Sequence, residues 1–161
     1  MSAFGDLVGG LDYPMFVVTA VAEGRRAGCL VGFVTQASIE PPRLLVCLSK
    51  VNATFEVARR ATALAVHFLG PSDLPLAHLF GEETGDEVDK FTRCKWRAGP
   101  GGLPILLECN GWAAVRVLDR MDCGDHVAHL CEPFDSAALR PAQPQLAYQR
   151  VKDLSPGHPA H

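Results

Sequence analysis

The chain has 161 residues, 48% of them hydrophobic and 20% charged, the size and balance of one domain that buries roughly 70% of its surface without staples. Intrinsic disorder is excluded for most of its length, and a net charge of −3 argues against nonspecific nucleic-acid binding, which needs a basic face.

Residues 1–12, with Gly5, Gly9 and Gly10, read as a short lead-in. Residues 14–22 are a β-branched apolar run, the pattern of a strand buried on both faces. Residues 23–26 suit a hairpin turn, and 27–38 a second strand in which Gly28 and Gly32 mark a bulge or close backbone approach. Pro41 and Pro42 stop it. A third strand covers 43–49 and a helix 52–61, with Asn52 as N-cap and Glu56 paired with Arg60 one turn on. A fourth strand covers 64–69. Ser72 then caps a short helix to Phe80, with Pro75 in its first turn. The acidic stretch 81–92 reads as a mobile loop or short helix, and 99–102 as a plain loop. Three more strands follow at 105–109, 111–119 and 125–133, with Gly124 punctuating the last hairpin. Beyond Asp135 a tail rich in Pro, Ala and Gln frays at 155–161.

About seven strands in hairpin-like succession, with two or three short helices, predict a mainly β fold. An antiparallel barrel with short peripheral helices fits this order better than a doubly wound sheet. The chain is one domain, its core at about 12–133 and its tail at about 135–161. None of the six cysteines forms a C-x-x-C pair, and Cys29, Cys47, Cys109 and Cys131 lie in apolar runs. With no signal-peptide pattern and no apolar run near the ~20 residues of a membrane span, reduced thiols in a cytoplasm are expected.

Two stretches carry candidate chemistry. Ser49, Lys50, Asn52 and Thr54 cluster at a helix start, where free N–H groups, a partial positive charge and a lysine suit a phosphate; the alternative is plain capping by Asn52 with Lys50 solvated. Gly32, Phe33, Val34, Thr35 and Gln36 crowd small, aromatic and polar residues on one strand, where a glycine lets a planar ligand approach the backbone; the alternative is a barrel strand with a glycine bend. No metal site is expected: His126 and His129 point to opposite faces of a strand, and no fourth ligand beside Cys131 has suitable spacing. The carboxylates at 82–89 read as a solvated loop. Neither a G-x-S-x-G elbow nor a G-x-G-x-x-G fingerprint occurs, so neither a serine hydrolase nor a dedicated dinucleotide domain is predicted.

Residues 28–54 resemble the flavin reductase-like, FMN-binding split-barrel family. Gly28, Val34, Thr35, Gln36, Ser38, Pro41-Pro42, Ser49-Lys50, Asn52 and Thr54 stand in step with its pattern. The runs 16–20 and 65–68, Asp89-Lys90-Phe91 and Gly124-Asp125-His126 agree in order. The resemblance covers about residues 12–133. It implies an antiparallel split β-barrel and a homodimer holding FMN or FAD at its interface. The flavin ring would lie against Leu30, Val31, Gly32, Phe33, Val34, Thr35 and Gln36. Its phosphate would lie near Ser49, Lys50, Asn52 and Thr54, with Lys90 as a further cofactor contact. His126 would serve catalysis beside the flavin or the nicotinamide. The implied activity is reduction of flavin by NADH or NADPH, a transient donor, often to supply a partner monooxygenase or another redox protein. Leu30 and Gly32-Phe33 stand where members often carry Thr and Ser. That departure keeps a non-catalytic, flavin-carrying electron-transfer module, fed by a protein donor, as the alternative; haem or a deazaflavin in the same barrel is a more distant one.

Overall fold

The computed structural model describes residues 2–82 and 89–154. Half of the acidic stretch, residues 83–88, and the frayed end expected at 155–161 lie outside these residues. The lead-in is a helix, α1 (Ala3–Gly9), capped by the Ser2 hydroxyl, which accepts from Gly5 N at 3.1 Å. It buries no residue: Phe4, Leu7, Val8 and Leu11 recur at helical spacing, but the structure leaves them exposed, and Gly5, Gly9 and Gly10 suggest a loop.

Strands β1 (Phe16–Ala22) and β2 (Arg25–Val31) form the expected hairpin. Its two turn residues, Glu23 and Gly24, have φ of 54° and 76°, the left-handed pair that matches strand twist. The strand expected over 27–38 is two strands. β2 ends at Val31, Gly32-Phe33 carries the chain across, and β3 (Val34–Ser38) begins a new pairing with β4 (Arg43–Ser49). Then come α2 (Ala53–Ala58), β5 (Ala63–Phe68), a 3-10 turn at Pro71–Asp73 and α3 (Leu74–Glu82).

Two local expectations are corrected here. Helix α2 stops at Ala58, so Glu56 pairs with Arg59 at 3.1 Å while Arg60 reaches Glu23 at 3.4 Å. The cap before α3 is made by Asp73, whose carboxylate accepts from Gly70 N at 2.7 Å. Ser72 instead accepts from Arg140, and that guanidinium also forks onto both Asp73 oxygens at 2.7 Å.

A short hairpin follows, β6 (Trp96–Ala98) with β7 (Pro104–Leu106). It replaces the strand expected over 105–109, because the chain turns away after Leu106 and Leu107 is exposed. The last hairpin, β8 (Gly111–Asp122) and β9 (His126–Ala138), outruns the expected bounds; its outer residues mix polar side chains with exposed apolar ones such as Met121 and Phe134, which broke up the apolar runs.

The main sheet is antiparallel, in the order β2-β1-β5-β8-β9-β4-β3. Its two edge strands are consecutive in sequence, so two residues bring the edges together and the sheet curls. Every one of its seven strands sends side chains into one core, among them Phe16, Cys29, Val34, Val46, Val66, Val115 and Cys131. The curled sheet wraps this shared core as a barrel that stays open between β2 and β3, which do not pair with each other. Helix α2 joins β4 to β5 and closes one end with Val57, Ala58 and the following Ala61. Arg120 donates to the carbonyls of Ala58 and Ala61, satisfying groups beyond the helix end.

A second core packs α3, Phe91 and Leu106 against Met15, Val17 and Leu30 on the outer face of β1 and β2. The C-terminal segment completes it with Leu146 and Val151. Backbone bonds of 2.8 Å from Met15 N to Leu146 O, Leu146 N to Leu69 O and Tyr148 N to Tyr13 O fasten that segment. His67 joins the layers: buried, it donates from Nδ1 to Val17 O at 2.9 Å and accepts from Leu106 N on Nε2 at 3.0 Å. Burial pushes its pKa down to about 4. Among the described residues no helix is long and apolar enough to cross a membrane.

Candidate functional site

The seam of the barrel, Gly32-Phe33, is closely packed against Tyr13. A Cβ at Gly32 would overlap the Tyr13 ring, so only glycine fits there without displacing it. Phe33 is 50% exposed, and its carbonyl accepts from Cys47 N at 2.9 Å, tying the seam to β4. The Phe33 ring lies 5.0 Å from the His126 imidazole and 6.1 Å from Tyr13, and Tyr13 stacks on Tyr148 at 4.7 Å.

Strand register brings the other polar candidates to this wall. Ser49, the last residue of β4, pairs with His126, the first of β9. Lys50 N donates to Asp125 O at 2.9 Å, and its ammonium meets the Asp122 carboxylate at 2.7 Å. His126 is not a turn residue: it opens a strand, only 12% of its side chain is exposed, and Nδ1 meets the Asp125 carboxylate at 2.7 Å. The Lys50 ammonium holds the Asp122 carboxyl below its ordinary range, and hydrogen bonding to His126 does the same for Asp125.

Val34, Thr35 and Gln36 face elsewhere. With Tyr13, Phe16, Arg43, Leu44 and Phe68 they line a mainly apolar cleft of about 570 Å³, at the barrel end opposite α2. Such a volume is within the roughly 300–1,000 Å³ of small-molecule sites. Asn52 does cap α2, accepting from Thr54 N at 2.9 Å, and Thr54 is buried.

Leu30 and Val31 are buried in the outer and inner cores, so they can offer a ligand backbone groups only. Lys90 stands apart from the cleft. It is buried, and its ammonium donates to the carbonyls of Phe80 at 3.2 Å and Gly28 at 3.3 Å. His129 points into the barrel, its Nδ1 3.0–3.1 Å from the carbonyls of Val127 and Val46. Burial pushes the thiols of Cys29 and Cys109 up to about 11 and of Cys131 up to about 12, which keeps them protonated and unreactive. Among the described residues no group of three or more His, Cys, Asp or Glu could hold a metal. Tyr13 and Tyr148 were missed by sequence reasoning, since no local pattern marks two tyrosines from opposite ends of the chain as neighbours.

The flavin reductase like domain matches residues 8–154. The chain belongs to that family. A probable flavin reductase of Rhizobium meliloti is 31% identical over 126 residues, covering 78% of this chain and 40% of that protein. The FMN reductase (NADH) RutF of Pseudomonas syringae is 29% identical over 133 residues, covering 83% and 74%. Among solved structures, a putative oxidoreductase from Sinorhizobium meliloti superposes with a TM-score of 0.81 at 28% identity, covering 91% of this chain and 50% of that one. The NADH:FAD oxidoreductase SgcE6 of Streptomyces globisporus shares the fold, at 21% identity with a TM-score of 0.81 over 89% of this chain and 85% of that one. This chain thus spans half or less of the two rhizobial relatives and most of the other two.

The residues present fit the family's flavin. A planar ring system needs an apolar wall with few polar groups, which the seam and the cleft supply. A phosphate needs a cation, and Lys50 supplies one two residues before the cap of α2, where the N–H groups of Lys50, Asn52, Thr54 and Phe55 are already bonded within the chain. The Lys50–Asp122 pair is solvent-exposed, and such pairs are worth at most about 1 kcal/mol, so the ammonium can exchange partners at little cost.

Proposed function

We propose that this chain is an NAD(P)H-dependent flavin reductase holding FMN or FAD along the barrel wall. The observation that carries the reading is the convergence of Gly32-Phe33, Ser49-Lys50 and Asp125-His126, three separate stretches, at one surface. The flavin, when bound, supplies the hydride-accepting chemistry, so the protein has to orient and shield. In this reading the Phe33 face, set in place by Gly32 and Tyr13, supports the ring, Lys50 at the start of α2 holds the phosphate, and His126, braced by Asp125, positions the nicotinamide.

The fold supports catalysis over a purely electron-carrying role at one of the two departures from the family pattern. The Leu30 side chain lies in the outer core, so a hydroxyl lost there is not lost from the ligand wall. A second copy of the chain would cover the open apolar cleft, giving a two-fold homodimer with an isologous interface; a monomeric mass at micromolar concentration with flavin bound would contradict it. Reduced flavin would pass to a partner monooxygenase or another redox protein. The visible spectrum of the purified protein, after addition of FMN or FAD, tests the function. Flavin absorption that bleaches with NADH or NADPH is expected. Bound flavin that neither donor bleaches would leave the carrier role, and no flavin binding would refute both.

A further inference from the structure

Tyr13 lies ahead of β1, outside every stretch that suggested a ligand, yet it touches three parts of the candidate site. Its ring stacks on Tyr148 with planes 16° apart and leans toward Phe33, which leans toward His126. It occupies the volume beside Gly32 that a side chain at residue 32 would need. It also lines the apolar cleft with Val34, Thr35 and Gln36. Its backbone is pinned by Tyr148 N, which donates to Tyr13 O. Burial, and then the Tyr148 phenol, push the Tyr13 pKa up, so the ring stays neutral at physiological pH.

We infer that Tyr13 is a positioning residue for the flavin ring: it fills the space left by Gly32 and backs the Phe33 ring, so that an ordered aromatic face meets the planar cofactor. The inference rests on the proposed flavin site. A half-exposed phenylalanine with no neighbours loses rotamer freedom when a ligand lands on it, and prior packing removes that cost. A ring pair of this kind is worth about two- to tenfold in affinity.

The test is titration with FMN, read by flavin fluorescence and visible absorption, of wild type, Tyr13→Phe, Tyr13→Ala, Gly32→Ala and the double variant Gly32→Ala/Tyr13→Ala, with thermal unfolding of each. Tyr13→Phe should keep FMN affinity to within about twofold, because the ring is what acts. Tyr13→Ala should weaken FMN about three- to tenfold and alter the spectrum of bound flavin. Gly32→Ala should weaken FMN in the wild-type background, and much less in the Tyr13→Ala background, where the overlap is gone. A folded Tyr13→Ala with wild-type affinity and spectrum overturns the inference, as does a Gly32→Ala effect of equal size in both backgrounds. If Tyr13→Ala does not fold, Tyr13→Leu takes its place in the same cycle under the same criteria. A wild-type chain that binds neither FMN nor FAD would instead refute the functional reading, a result distinct from all of these.

Discussion

Mild acid should destabilise this protein through His67. The imidazole is fully buried, with Nδ1 donating to Val17 O and Nε2 accepting from Leu106 N. Protonation puts a hydrogen on Nε2 facing an N–H, which destroys that bond and leaves a charge in the core. The folded pKa of about 4 lies below the ordinary 6.5. The unfolded chain therefore binds the proton first, and the stabilisation is full above pH 6.5 and is lost as pH falls toward 4. The whole gap is equivalent to about 3 kcal/mol, and about 2 kcal/mol of it is gone by pH 5, a large fraction of the roughly 5–15 kcal/mol that holds a domain. Urea unfolding of wild type and His67→Gln from pH 7.5 to 5 would check this. Glutamine keeps a donor and an acceptor but has no titrating proton, so wild type should lose about 2 kcal/mol more than the variant over that range. His129, whose pKa burial also lowers, is present in both and cancels. Parallel pH curves, or an NMR titration of folded His67 near 6.5, would refute the reasoning.

Lys50→Ala should weaken FMN binding about tenfold in low salt, and Asp122→Asn, which frees the ammonium, should tighten it by a few fold; fluorescence titration that moves neither would leave Lys50 a surface residue. His126→Ala should raise the KM for NADH or NADPH with little change in flavin affinity, measured by steady-state kinetics beside a flavin titration. Arg140→Ala strands the buried Asp73 carboxylate, which it grips with two 2.7 Å bonds, and should cost about 3 kcal/mol in urea unfolding; a loss under 1 kcal/mol would show that water replaces the guanidinium.

Strand β4 and the start of α2 are legible because their signals are local: an apolar run ends in polar residues, and Asn52 reaches its own chain two residues on. The break between β2 and β3 is not local. Gly32 reads as a bulge until Tyr13, from an earlier stretch, is seen to fill the space beside it. The hairpin of β6 and β7 is hidden by its three-residue strands, and α1 by Gly5, Gly9 and Gly10, which read as a loop. Within the site, Ser49 and Lys50 could be proposed from residue type, and His126 only from the resemblance. Their adjacency is set by the β4–β9 register, which no single segment contains. Lys90 is proposed only through the resemblance, and the fold draws its stem inward, where the ammonium donates to the carbonyls of Phe80 and Gly28.

The C-terminal segment has a mechanical consequence. Residues 146–149 bind the approach to β1 through Met15, Tyr13 and Asp12 and reach across to Leu69, so the two ends of the chain close on each other like a clasp over the outer core. Tyr148, the rivet of that clasp, is also the ring beneath Tyr13. A cut in the exposed stretch 141–145 would thus do more than shorten a tail. It would unlatch the outer core and remove the support beneath the seam in one event, linking the tail's integrity to the shape of a surface built by the opposite end of the chain.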